Sequence, residues 1–295
     1  MPRPKRHNGV MMAAPDEVYD TIPITRRQSS ERLARVVFGC CTALSTGILV
    51  YIIGVFAWQS YEFISSPMVE SSALLPEGAF WMMLNGTLLT TVTALVVAMP
   101  LGLFIALYLT EFAPTTVRNY LKGALEVLSA VPPIIWAFFA VAGLASEVSH
   151  NKPSAILAGL VLGIMILPMT ATLIEDAIFH VPKSLLESAV ALGATRLQAL
   201  LRVIIPTAAP GIVAAVLLSF SRAVSETIVL ALAAGDTLRF SIDPFVAIET
   251  VTGFLLRSGT TAGSLQPAFV AGTLLFAITG ALHILAGRLL RRGIR

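Results

Sequence analysis

Two ionisable residues stand four apart in a stretch that otherwise carries almost no polarity. Arg222 lies near the middle of residues 210–234, and Glu226 follows it by one helical turn. If this stretch crosses a membrane as a helix, an arginine at mid-bilayer costs about 2.5–3.5 kcal/mol even on the lower estimates. The spacing puts both side chains on one helix face, where they can pair. Ser225 and Thr227 add hydroxyls, Ser225 one residue off that face. Two uses fit. The pair can fix helix packing or register, or it can form a polar patch on a substrate path. For the second, the planar guanidinium can give two parallel hydrogen bonds to a tetrahedral oxyanion. Glu226 can orient Arg222, or accept a hydrogen bond from a protonated oxygen of the anion. A bare carboxylate repels a fully deprotonated anion, so the arrangement favours a substrate that carries an O–H.

A second constellation occupies residues 182–206. It contains Glu187, Ser188, Ala189, Gly193 and Pro206. The pattern predicts a short helix, a glycine turn at Gly193 and a second amphipathic piece. Leu185, Leu186, Ala189 and Leu192 make a short apolar face. Such a face can dock into a groove on a partner protein. It can equally lie on lipid as an interfacial helix.

Several chemistries are excluded. A phosphate-binding loop needs Gly-Lys followed by Ser or Thr, and none of Lys5, Lys122, Lys152 and Lys183 follows a glycine. The chain therefore does not hydrolyse ATP by that route. Neither H-E-x-x-H nor G-x-S-x-G occurs, so common hydrolase signatures fail. His7, His150, His180 and His283 are dispersed, and no metal site or cofactor is expected. Cys40 and Cys41 are adjacent within an apolar run and read as small apolar filler.

The elements that must position these residues follow from composition. Hydrophobic residues make up 56% of the 295 and charged residues 13%, against roughly 25% charged in a soluble domain. The expected class is an all-α integral membrane protein, since lipid leaves backbone polar groups no partners but their own helix or a closed barrel. Long unbroken apolar runs argue against a barrel. Six stretches approach the roughly 20 residues needed to cross the hydrocarbon: 36–58, 86–109, 127–145, 155–174, 210–234 and 266–285. The third contains Pro132-Pro133, which predicts a kink or break. With the N-terminus in the cytoplasm, sixteen of the twenty Lys and Arg fall on the cytoplasmic side, three outside, and Arg222 within a span. That bias places both termini in the cytoplasm, and it assigns the basic residues to membrane topology rather than to nucleic acid. Residues 1–35 read as a mostly disordered basic tail. The segment 175–209 reads as a long cytoplasmic loop. The segment 235–265 reads as an outer loop with a short helix at the surface near 246–256.

The Glu187–Pro206 pattern resembles the E-A-A loop of ATP-binding-cassette (ABC) importer permeases: E-A-A, three residues, G, nine residues, then I-x-L-P. Ser188 replaces the second residue, Val203 the Ile and Ile205 the Leu. The block Arg222-Ala223-Val224-Ser225-Glu226-Thr227 resembles the R-A-x-G-E-T motif of phosphate-importer permeases, with Ser225 in place of Gly. Asn85-Gly86-Thr87-Leu88, Pro100-Leu101-Gly102 and Leu275-Phe276-Ala277-Ile278-Thr279 also look similar, whereas Val131-Pro132-Pro133 departs from the family's I-P-S. Ala234-Gly235-Asp236 leans toward the PstC type over the PstA type.

The resemblance covers roughly residues 84–292 and implies a MetI-like permease domain in a bacterial plasma membrane. It implies that Glu187, Ser188, Ala189, Gly193 and Pro206 couple to a separate ATPase subunit, which uses the ATP. It implies a second permease and an extracytoplasmic phosphate-binding protein as further partners. Arg222, Glu226, Ser225 and Thr227 would then line the substrate pathway. A permease of the same fold for sulfate, molybdate or phosphonate stays open. So does a stand-alone secondary transporter, although no inverted repeat is visible.

Overall fold

The computed structural model describes residues 24–65, 78–260 and 265–293, and these are helical with irregular connections. α1 is Ile24–Ser65. Its helix begins inside the segment expected to be disordered; residues 1–23 lie outside the described ones. The chain separates into one unit up to Val55 and a second from Phe56 onward. In the second unit follow α2 (Ala79–Leu107), α3 (Thr115–Ala130), α4 (Pro133–Phe138), α5 (Ala145–Ser149) and α6 (Ala155–Phe179). Then come α7 (Lys183–Ala191), α8 (Arg196–Ala199), α9 (Ile205–Val224), α10 (Ile228–Ala233), α11 (Val251–Thr260) and α12 (Leu265–Gly293). Among the described residues five helical segments are long and apolar enough to cross a bilayer, and a bent pair makes a sixth.

That pair is α3 with the segment Pro133–Ser149, bent by 84°. Val131 and Pro132 take extended ψ values of 122° and 142°. A residue before proline is pushed out of the α region, so two successive prolines impose two extended residues. The third expected span is thus two helices, and its first begins at Thr115 rather than at 127.

α2 and α6 form the centre of the second unit. Gly159 and Gly163 of α6 let the two backbones approach closely. A Cβ on Gly163 would sit 2.7 Å from the Ala94 carbonyl oxygen, and one on Gly159 2.5 Å from Thr93 Cβ. Small residues four apart permit this contact where lipid offers no hydrophobic drive for association. Around the pair, Trp136 and Ala137 of α4, Leu157, Val161 and Leu162 of α6, Ala223 of α9 and Leu230 of α10 make one buried cluster.

Two loop expectations change. α6 runs on to Phe179, so Glu175 belongs to the helix and is buried. The 246–256 segment is not a surface helix along its length: Ile248, Thr250 and Val251 are fully or almost fully buried, while Leu256 at its end is exposed. Val251 donates its N–H to Thr87 Oγ1 of α2 at 3.0 Å.

Candidate functional site

The apolar stretch 210–234 is not one helix. α9 ends at Val224, and the helix is interrupted over residues 225–227 before α10 starts at Ile228. Arg222 therefore sits in the last turn of α9, where a cation meets the negative end of the helix dipole. Its Nη1 donates to Glu226 Oε2 at 2.7 Å. The Glu226 side chain is only 5% exposed, while that of Arg222 is 39% exposed. The guanidinium is thus held through Nη1 by a buried carboxylate. Ser225 and Thr227 also lie at the break. Ser225 Oγ donates to the Ser221 carbonyl at 2.7 Å, and Thr227 Oγ1 to the Ser225 carbonyl at 3.4 Å. Their hydrogens are used on the backbone, and acceptor capacity is what remains.

The depth of this break follows from its neighbours. Ser219 Oγ lies 2.9 Å from Thr170 Oγ1 on α6. Ser154, the cap of α6, donates its N–H to the Ala233 carbonyl at 2.8 Å, so the end of α10 lies level with the start of α6. At about 1.5 Å per residue, α6 is roughly 37 Å long and Thr170 is about 22 Å from its Ala155 end. Arg222, three residues beyond Ser219 toward Ala233, is then about 18 Å from that end, halfway along. Non-helical backbone at such a depth is tolerated where it is buried in protein or lines an aqueous cavity. Broken helices at the midplane are where transporters build substrate sites.

One residue passed over in the sequence joins this place. His283 of α12 has its Nδ1 3.0 Å from Ser221 Oγ, next to Arg222. An ionisable side chain inside the apolar stretch 266–285 was the available signal.

The Glu187–Pro206 group is separate. Glu187, Ser188 and Ala189 lie on α7, which buries none of its residues. Leu192 is 90% exposed. Gly193 has φ 91°, and nothing lies within 4 Å of a Cβ built there. Glycine is needed for its backbone conformation and not for space. Thr195 and Gln198 close a capping box that starts α8, and Pro206 stands in the first turn of α9. Arg222 is sixteen positions beyond Pro206 on α9, about 24 Å of helix. The two groups are therefore distinct sites joined by one rigid element.

Among the described residues three further ion pairs tie elements together. Buried Glu175 of α6 accepts from Arg118 at 3.0 Å and pairs with Lys122 at 2.9 Å, both on α3. Glu249 pairs with Arg257 of α11. Arg257 also donates to the carbonyls of Ala231 and Gly235, anchoring the end of α10. Burial pushes the Glu249 carboxyl above its ordinary value, and Arg257 opposes the rise.

Residues 98–295 match the family described as binding-protein-dependent transport system inner membrane component. The chain belongs to this family. It is a membrane transport subunit and not an enzyme. The probable ABC transporter permease protein YqgH of Bacillus subtilis (strain 168) is 31% identical over 259 residues, covering 81% of this chain and 84% of that one. The phosphate transport system permease protein PstC of Pasteurella multocida (strain Pm70) is 29% identical over 294 residues, covering 88% and 89%. Among solved structures, an inward-facing form of the MetNI methionine ABC transporter matches with a TM-score of 0.57 at 19% identity, over 75% of this chain and 100% of that chain. A bacterial ABC transporter for the acidic polysaccharide alginate matches with a TM-score of 0.64 at 15% identity, over 90% and 99%. These two carry the fold, which is the all-α, MetI-like permease fold expected from the sequence.

Proposed function

We propose that this inner membrane component is a permease subunit of an ATP-driven importer that carries inorganic phosphate into the cell. The observation that carries the reading is the half-exposed Arg222 held by buried Glu226 at a helix break midway along the membrane-spanning bundle. A guanidinium in that setting offers several N–H donors to an anion. Its own positive charge is balanced by Glu226, so the empty site is near neutral. The names of relatives such as PstC of Pasteurella multocida support phosphate as the anion.

In this reading Arg222 and Glu226, with Ser225 and Thr227 at the same break, contact phosphate as it passes. Glu187, Ser188, Ala189, Gly193 and Pro206 form the surface on which a partner ATPase subunit seats. That subunit hydrolyses the ATP, and α9 carries its movement to the break. A second permease completes the pathway, and an extracytoplasmic phosphate-binding protein delivers the substrate. Both termini lie in the cytoplasm, by the excess of Lys and Arg on that side.

The test is uptake of labelled phosphate in a host lacking its own phosphate uptake. The host expresses this chain with its partner permease, ATPase and binding protein, and sulfate is added in excess. ATP-dependent uptake that ignores sulfate and disappears in Arg222→Ala is expected. An assembled complex that moves no phosphate refutes the substrate. Normal uptake by Arg222→Ala removes Arg222 from the pathway.

A further inference from the structure

His283 stands at the depth of the helix break, on the helix that packs alongside α9. Its Nδ1 lies 3.0 Å from Ser221 Oγ and 2.9 Å from the carbonyl oxygen of Thr279, one turn back on α12. A carbonyl oxygen has only lone pairs, so a ring nitrogen held at that distance carries a hydrogen. In the neutral imidazole the other nitrogen, Nε2, then presents a lone pair. Among the described residues nothing bonds Nε2, and His283 is exposed. Ser221 is fully buried and immediately precedes Arg222. The imidazole is therefore pinned within one residue of the Arg222–Glu226 pair along α9. An ionisable ring at mid-bilayer depth is disfavoured against hydrocarbon, and such groups face the bundle interior or a water-filled cavity.

We infer that His283 is a third substrate contact and sets specificity, its Nε2 accepting the hydrogen of a protonated phosphate oxygen while Arg222 donates to the deprotonated ones. This rests on the phosphate reading above. Arg222 alone serves any tetrahedral oxyanion. An acceptor at Nε2 serves only an anion that brings an O–H, and near neutral pH sulfate has none. A site built to hydrogen-bond a hydroxyl rejects an analogue that lacks it far more strongly than an apolar site does. Ser221 and the Thr279 carbonyl act as the positioning groups, since they fix the tautomer.

The experiment compares His283→Asn with His283→Gln in the complete transporter, reconstituted in vesicles with saturating phosphate-loaded binding protein. Asparagine puts an amide N–H where Nδ1 is, and keeps the anchor to Ser221 and Thr279. It has nothing at Nε2. Glutamine reaches toward the Nε2 position with an amide oxygen and gives up the anchor. Phosphate carried per ATP hydrolysed is measured for each assembled complex. His283→Asn is expected to lose about tenfold or more, as for one hydrogen bond to a charged group, and His283→Gln to retain most of the wild-type value. The opposite order makes the Nδ1 anchor the whole role and overturns the inference. Equal values for the two variants, whether normal or low, also overturn it. A wild-type complex that assembles and hydrolyses ATP but carries no phosphate overturns the phosphate reading itself, and this inference with it.

Discussion

Glu226 offers the sharpest test of what the charged pair is for. The substitution Glu226→Gln keeps the shape and an oxygen 2.7 Å from Arg222 Nη1, and removes only the negative charge. The guanidinium keeps its charge, so its hydrogen bond to the amide oxygen stays charge-assisted, and what is lost is the attraction between two full charges. The arginine side chain is 39% exposed and solvent screens that attraction, which leaves about 1 kcal/mol. At about 1.4 kcal/mol per factor of ten, the maximal rate of phosphate uptake should fall roughly 5-fold. Glu226→Ala strands the guanidinium and should abolish transport. The double substitution Arg222→Met with Glu226→Leu separates the two uses of the pair. Where the carboxylate is buried, as here, replacing an ion pair with apolar residues of similar volume is often neutral or stabilising. The double variant should therefore assemble with its ATPase and melt at or above the wild-type temperature, yet carry no phosphate. The assay is labelled uptake normalised to assembled complex, together with a thermal melt in detergent. Wild-type uptake by the double variant would refute the reasoning, because the pair would then only have set packing.

Other expectations follow from single positions. Gly193→Val places a β-branched residue at φ 91°, a conformation that costs on the order of 1–3 kcal/mol. Co-purification of the ATPase should drop while the chain stays in the membrane, and full recovery of ATPase would exclude this turn from the docking surface. Gly163→Leu drives side-chain atoms into the Ala94 backbone, and overpacking of this kind costs typically 1–3 kcal/mol. A lower melting temperature in detergent is the expected readout, and an unchanged melt would mean that α2 and α6 do not approach as described. Glu175→Ala leaves Arg118 and Lys122 without their shared carboxylate. It should loosen α3 and raise amide exchange across residues 115–130, and exchange identical to wild type would count against the tie.

The sequence by itself determined the class and the apolar spans, and it singled out the two groups of candidate residues. Lipid makes these legible: apolar runs of a set length must be helices, and an arginine within one is costly enough to stand out. It also located the break in the third span, because proline acts on its own neighbours through local sterics. The break after Val224 was not legible. No proline or glycine marks it, and Ser225, Glu226 and Thr227 are compatible with helix. The Arg222–Glu226 pair and the Ser225 bond to the Ser221 carbonyl are i,i+4 contacts that an unbroken helix also allows; the break follows from the packing of α10 against α4 and α6. The burial within 246–256 and of Glu175 was decided in the same way, by helices far away in the chain. His283 and Arg222 are 61 residues apart in the chain. Only the packing of α9 against α12 sets them at one depth, since a local pattern carries no information about which remote helix covers which face.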